Sequence, residues 1–290
     1  MTTALRKQQT IARPATIWGF GYWSGRDVHV EFRPAQTDTG VVFVRHDLTP
    51  TPRIRACVDH RTEVPRRTNL TAAGASVEMV EHLLAALAGL QIDNCEIWVD
   101  GAEMPGNDGS SRDAVEALLR AGIVAQDALR ACVKIDRVLR IGNSEQWIEA
   151  RPADRAIVKY DMDFGRDNIV GRHELEWVVD VQSFRHEIAP ARTFILESDA
   201  RLLRAQGLGL RTTYQDLLVF GADGPIDNNL RFTDECVRHK ILDLIGDLAL
   251  AGCDVQGYIL AHRSGHRLNA ELARALRVNR ALSYQQRDSA

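Results

Sequence analysis

The chain has 290 residues, 45% of them hydrophobic and 26% charged, which suits one large or two modest globular domains and excludes a disordered chain. A net charge of -3 with scattered arginines argues against a general binder of nucleic acid or anionic membrane. Five cysteines without a CxxC pair argue against a disulfide framework and point to the cytoplasm, and no apolar run approaches the ~20 residues that cross a bilayer, so no stable membrane insertion is expected.

Taken in order, residues 1–8 read as a loose lead-in. Residues 16–18, 28–32 and 41–44 have strand character, the first two separated by the glycine-punctuated turn 19–25. Residues 50–65 are polar and carry prolines, so they read as a loop or short insert, with one more edge strand between 65 and 76. Apolar spacing over 77–88 predicts a helix stopped near Gly89. A strand at 95–99, turn chemistry over 100–109, and a helix over 113–120 capped by Ser110 or Ser111 follow.

The second half repeats this order. Strands around 132–141, 145–151 and 155–164 precede a helix that carries His239 toward Gly252, then a strand at 256–261, a turn at 263–266 and a helix over 268–277. A histidine-bearing helix, a strand, a Gly/Ser turn and a helix thus occur twice, which predicts an internal duplication into two α+β domains, 9–127 and 128–280. Residues 171–235 have no counterpart in the first half. Within them 191–196 reads as a strand or turn, 197–206 as a short amphipathic helix, and 227–234 as a loop. The polar tail 283–290 is expected to fray.

Chemistry concentrates in 238–247. On a helix His239, Asp243 and Asp247 rise one above another on a single face, because residues four apart are vertical neighbours. An imidazole and a carboxylate so placed can take one divalent cation, the alternative being an ordinary solvated face. If the two histidine helices face one another, His82 becomes the third ligand, leaving a coordination position for water. That set suits a zinc hydrolase and equally a non-haem Fe(II) oxygenase. Glu81, about 100° round the helix from His82, is placed to take a proton from water, which favours hydrolysis. His266, at the turn feeding the last helix, is a candidate to stabilise an oxyanion or protonate a leaving amine, oriented by Asp247.

With these residues in view the chain resembles the UDP-3-O-acyl-N-acetylglucosamine deacetylases, the zinc amidases of lipid A synthesis, over nearly its whole length. The likeness rests on Val80-Glu81-His82-Leu83 with Ala85 to Leu90 and Ile92-Asp93-Asn94, and on Asp100-Gly101 through Glu103, Pro105 and Asp108-Gly109-Ser110. Ala191-Arg192-Thr193-Phe194, the His239 to Asp247 stretch, and Ser264-Gly265-His266 with Leu268-Asn269 complete it. The resemblance implies a duplicated two-layer α+β fold with the site between the layers. It implies zinc on His82, His239 and Asp243, Glu81 as general base and His266 as general acid assisted by Asp247. Thr193 would steady the tetrahedral intermediate, Lys240 would touch the sugar or its phosphates, and Phe164 would meet the uridine, with Phe194 beside Thr193. The segment after Thr193 would form an apolar passage for the acyl chain of a UDP-linked, acylated glucosamine.

Three stretches depart from the family pattern. Gly21-Tyr22-Trp23-Ser24-Gly25 stands where Gly-Leu-His-Ser-Gly is usual, Ile195-Leu196 replaces a Gly-Phe pair, and 209–216, with Arg211 and Tyr214, replaces a small glycine-rich segment. The residues for chemistry are kept while the lining differs, so a shorter acyl passage, another N-acetyl amino-sugar conjugate, or a non-catalytic binding protein are the alternatives.

Overall fold

Strand Asp27–Pro34 buries every second residue, Val28, Val30 and Phe32, as a strand does when one face is covered and the other meets solvent. It belongs to a five-stranded sheet ordered Ala15–Phe20, Asp27–Pro34, Cys95–Val99, Val41–Arg45, Arg53–Arg55. The last strand in sequence inserts at the centre, antiparallel to Asp27–Pro34 and parallel to Val41–Arg45. Five strands of a six-stranded second sheet have the same plan, Leu139–Gly142, Trp147–Arg151, Asp254–His262, Ala156–Asp163, Arg172–Val178, with Cys132–Lys134 added parallel to one end of Asp254–His262. Its central strand is again antiparallel to one neighbour and parallel to the other. The computed structural model describes residues 5–288, with side chains placed for residues 5–278.

Each sheet is covered on one face by helices, giving the expected α+β architecture. Helix Glu81–Gly89 packs on helix Arg112–Ala121, which meets strand Ala15–Phe20; helix Glu235–Ala249 packs on strand Ala156–Asp163 and on the C-terminal helix His266–Asp288. Between the two layers, helices Glu81–Gly89 and Glu235–Ala249 lie directly against one another. Gly246 permits this: a Cβ there would sit well inside contact distance of the Glu81 carbonyl. Leu83, Leu84, Leu87, Ile241, Leu242 and Leu244 belong to one continuous core. Burying each such leucine or isoleucine contributes about 1.5–3 kcal/mol.

Several expectations need correction. Lys7–Ile11 is a strand paired antiparallel with Ile123–Leu129, so the end of the expected loose lead-in is ordered, while its residues 1–4 lie outside the described residues. Arg6 bonds Asp93 of the first half and Asp254 of the second, 2.7 Å from each. The buried Gln8 and Thr10 gave no apolar signal. The helix expected over 77–88 starts only at Glu81, because Met79 has φ 56° and Ala75–Val77 is a strand. The polar stretch 50–65 contains the edge strand Arg53–Arg55. Its equivalent, Arg172–Val178, lies in the region expected to lack a counterpart. Both are edge strands rich in charge, which blunts edge pairing and also hides them from a hydrophobic pattern. The final helix runs to Asp288 rather than ending near 277, and the last two residues of the expected tail lie outside the described residues.

Gly246→Ala tests the helix contact. Helix propensity alone favours alanine over glycine by about 1 kcal/mol. A methyl against a backbone carbonyl cannot be accommodated by a rotamer change, and overpacking costs about 1–3 kcal/mol. The expected outcome is a lower denaturant midpoint for the alanine variant; a raised midpoint would mean that the helices are further apart.

Candidate metal centre and its proton-transfer groups

Glu81 and His82 occupy the first turn of helix Glu81–Gly89, and His239, Lys240, Asp243 and Asp247 sit on successive turns of helix Glu235–Ala249. Among the described residues His82, His239 and Asp243 form a buried group that can hold a metal ion, their ligand atoms all within 4.8 Å of one another. Asp243 Oδ1 is 3.2 Å from His239 Nε2 and 3.7 Å from His82 Nε2, and the two imidazoles stand edge-on with centroids 5.0 Å apart.

The hydrogen bonding around this group favours a cation. His239 Nδ1 lies 3.0 Å from the Ala191 carbonyl, which can only accept, so the proton is on Nδ1. Burial lowers the His239 pKa although Asp243 opposes it. A neutral His239 therefore presents the Nε2 lone pair to Asp243 Oδ1. Burial alone would raise the Asp243 pKa, but positive charge beside it, the Lys240 ammonium, opposes burial and the carboxyl stays well below its usual range. An imidazole lone pair facing a carboxylate oxygen repels it unless a positive ion lies between them. His82 adds a buried ring whose Nδ1 has no hydrogen-bonding partner. Lys240 Nζ donates to Asp243 Oδ2 at 2.7 Å, leaving Oδ1 to the histidines.

Beside the group stand two further titratable side chains. Glu81 accepts a hydrogen bond from the Thr68 amide at 2.9 Å, and its burial raises its pKa above the ordinary carboxylate value. His266, the first residue of the C-terminal helix, donates from Nδ1 to Asp247 Oδ2 at 2.9 Å, leaving Nε2 for other work. Burial pushes the His266 pKa down, but Asp247 more than offsets it and carries it up to about 9. Asp247 is fully buried and accepts from Thr68 Oγ at 2.6 Å and Asn269 Nδ2 at 2.9 Å, with Ser264 Oγ holding Asn269 in turn at 2.7 Å. Buried charge is costly unless paired and hydrogen-bonded, and here it is both.

A cavity of about 950 Å³ opens on this site, with Glu81, His82, Asp243, His266, Thr193 and Lys240 in its lining. Thr193 is fixed by its amide to the Gly109 carbonyl at 2.7 Å and by its carbonyl to the Leu218 amide at 3.0 Å. Phe164 and Phe194 meet edge to face at 5.6 Å, with Lys240 Nζ 5.6 Å from the Phe194 ring centre. The apolar wall comes from strands Phe194–Leu196 and Leu218–Phe220, helix Glu197–Ala205 and the loop between them. All ten candidate residues are thus brought together, His239 and Asp247 from beneath the lining. Sequence reasoning did not single out Thr68, which serves Glu81 through its amide and Asp247 through its hydroxyl; a lone threonine before a short strand carries no local signal.

A buried two-histidine, one-carboxylate group flanked by a carboxyl and a histidine is the equipment of a metal-dependent hydrolase. The family model for UDP-3-O-acyl N-acetylglycosamine deacetylase (LpxC) matches residues 8–278, and the chain belongs to this family. Proteins named UDP-3-O-acyl-N-acetylglucosamine deacetylase from Brucella ovis, Brucella canis and Brucella abortus are each 39% identical over 271 residues, 93% of this chain and 94% of theirs. Among the described residues no helix is long and apolar enough to cross a membrane.

The His266–Asp247 pair predicts a titration. A raised pKa means that the pair stabilises the fold fully below the ordinary 6.5 and that this contribution is lost as pH rises through about 9. In Asp247→Asn the largest opposing influence is gone and only Glu81 and Asp243 still work against burial, so His266 should titrate well below the wild-type value. Imidazole NMR shifts followed against pH read both values, and an unchanged titration in the variant would contradict the pairing.

Proposed function

We propose that this chain hydrolyses the acetamide of UDP-3-O-acyl-N-acetylglucosamine in lipid A biosynthesis, in the cytoplasm, and that the ion on His82, His239 and Asp243 is zinc. One observation carries the reading: Glu81 and His266 flank the His82–His239–Asp243 group on the floor of a cavity with an apolar wall. Two imidazoles and one carboxylate leave a position open, as catalytic zinc sites do, and the neighbouring base favours hydrolysis over oxygen chemistry. When bound, the ion supplies Lewis acidity for the water and the amide carbonyl.

The protein's own groups do the rest. Glu81, basic enough through burial to accept a proton, takes one from the attacking water as its oxygen bonds to the acetyl carbon. The Thr193 hydroxyl steadies the tetrahedral centre. His266, cationic at neutral pH, gives its proton to the amine as the carbon–nitrogen bond breaks, releasing acetate and a free 2-amino group. Asp247 fixes the tautomer and orientation of His266. Lys240, tied to Asp243, keeps a positive charge at the cavity edge toward the sugar and its phosphates, and Phe164, half-exposed beside Phe194, offers a face to the uridine. The acyl chain lies along the wall formed after Thr193, where each buried methylene contributes about 0.8 kcal/mol. We also read the chain as two units, 9–127 and 128–280, supported by the repeated strand order.

Acetate release from UDP-3-O-acyl-N-acetylglucosamine tests this. Glu81→Gln should lower kcat by about 10²–10⁴ while zinc measured by elemental analysis stays at the wild-type level. The wild-type rate should fall on the alkaline side as His266 loses its proton, near pH 9. No acetate from the wild type, or full activity in Glu81→Gln, would overturn the reading.

A further inference from the structure

Two segments of the cavity wall are tied together. Tyr22 is buried, and its hydroxyl donates to the Asp216 carbonyl and lies 3.1 Å from that of Gly106. Thr212 Oγ donates to the Tyr22 carbonyl at 3.3 Å. Arg211 donates to the Gly25 carbonyl at 3.1 Å and to Asp27 at 2.6 Å, with its guanidinium 4.2 Å over the Phe20 ring. Loop 209–216 is therefore strapped across to the turn 20–27. Tyr22, Trp23, Leu208, Gly209 and Thr212 line the cavity where these walls meet.

The turn is itself held rigidly. The Glu103 carboxylate accepts from the amides of Trp23 at 2.7 Å and Ser24 at 2.8 Å. Gly106 admits the Tyr22 ring, since any Cβ there would overlap it. The Trp23 indole is half-buried in the lining, and the Arg67 guanidinium stacks over it at 4.4 Å without itself lining the cavity. Arg67 is in turn paired with Glu78 at 3.1 Å. A ring backed in this way does not swing aside when an apolar chain reaches it.

We propose that Trp23, with the Tyr22–Asp216 and Arg211–Asp27 strap behind it, is an end wall that sets the longest 3-O-acyl chain this protein takes up. The proposal rests on the deacetylase reading above. Methylenes added to the acyl group gain affinity while they find apolar surface, roughly fourfold each, and gain nothing once the chain meets the wall.

The experiment measures kcat/KM for acetate release over a graded acyl series from butyryl to palmitoyl, each enzyme normalised to its own butyryl rate. The wild type should climb about fourfold per methylene and then break to a plateau or fall. In Trp23→Ala the break should move to longer chains. Arg211→Ala, which loosens the strap from outside the lining, should move it in the same direction by less, and it carries the test should Trp23→Ala not fold. Breaks at the same length in the wild type and in each folded variant would overturn the end wall while leaving the deacetylase reading intact. Absence of acetate release from every member of the series would instead remove the reading on which it rests.

Discussion

The site exists because two helices from separate halves of the chain touch along their backbones. Gly246 admits the first turn of helix Glu81–Gly89 into the face of helix Glu235–Ala249, one turn from Asp243 and beside Asp247. That contact sets Glu81 and His82 against His239, Asp243 and, through Asp247, His266. Each half alone would hold an incomplete set: one histidine and a glutamate, or two histidines and two aspartates. Bringing them together concentrates several ionisable groups in a buried space, and the surrounding hydrogen bonds assign each a distinct state.

Those states follow from neighbours rather than residue type. His239 and His266 are both buried imidazoles, yet one is held neutral by burial with its Nδ1 proton on the Ala191 carbonyl, and the other is held cationic by Asp247. Glu81 and Asp243 are both buried carboxyls, and burial raises the first while the Lys240 ammonium opposes burial in the second. Separated pKa values on adjacent groups are what acid–base chemistry at one pH requires. The scaffold beneath is comparably constrained: the Arg192–Glu235 pair is buried, with contacts at 2.8 Å and 3.1 Å, and fixes the segment that supplies both the Ala191 carbonyl and Thr193. Removing one partner of such a pair costs about 3–5 kcal/mol.

Much of this was readable in the sequence. The i, i+4 spacing of His239, Asp243 and Asp247 fixed their shared face as soon as a helix was inferred, and Glu81-His82 on a second apolar helix supplied the candidates for the remaining ligand and the base. The repeated order of elements pointed to duplication, although the shared strand order became visible only in the hydrogen-bonded registers. What was not readable depends on contacts between distant segments. Thr68 reaches Glu81, 13 positions away, and Asp247, 179 positions away, and Arg6 joins Asp93 to Asp254. The edge strands Arg53–Arg55 and Arg172–Val178 were hidden by their charge. The strap made by Tyr22 and Arg211 was seen only as departures from a family pattern, because its meaning lies in what the two segments touch.

The central claim is that His82, His239 and Asp243 share one ion, and X-ray absorption at the zinc edge of the purified protein tests it most directly. The account predicts a first coordination sphere of nitrogen and oxygen with the outer-ring scattering of two imidazoles, reduced to one in His82→Ala. Sulfur in the first sphere, or an imidazole signal unaltered by His82→Ala, would contradict it.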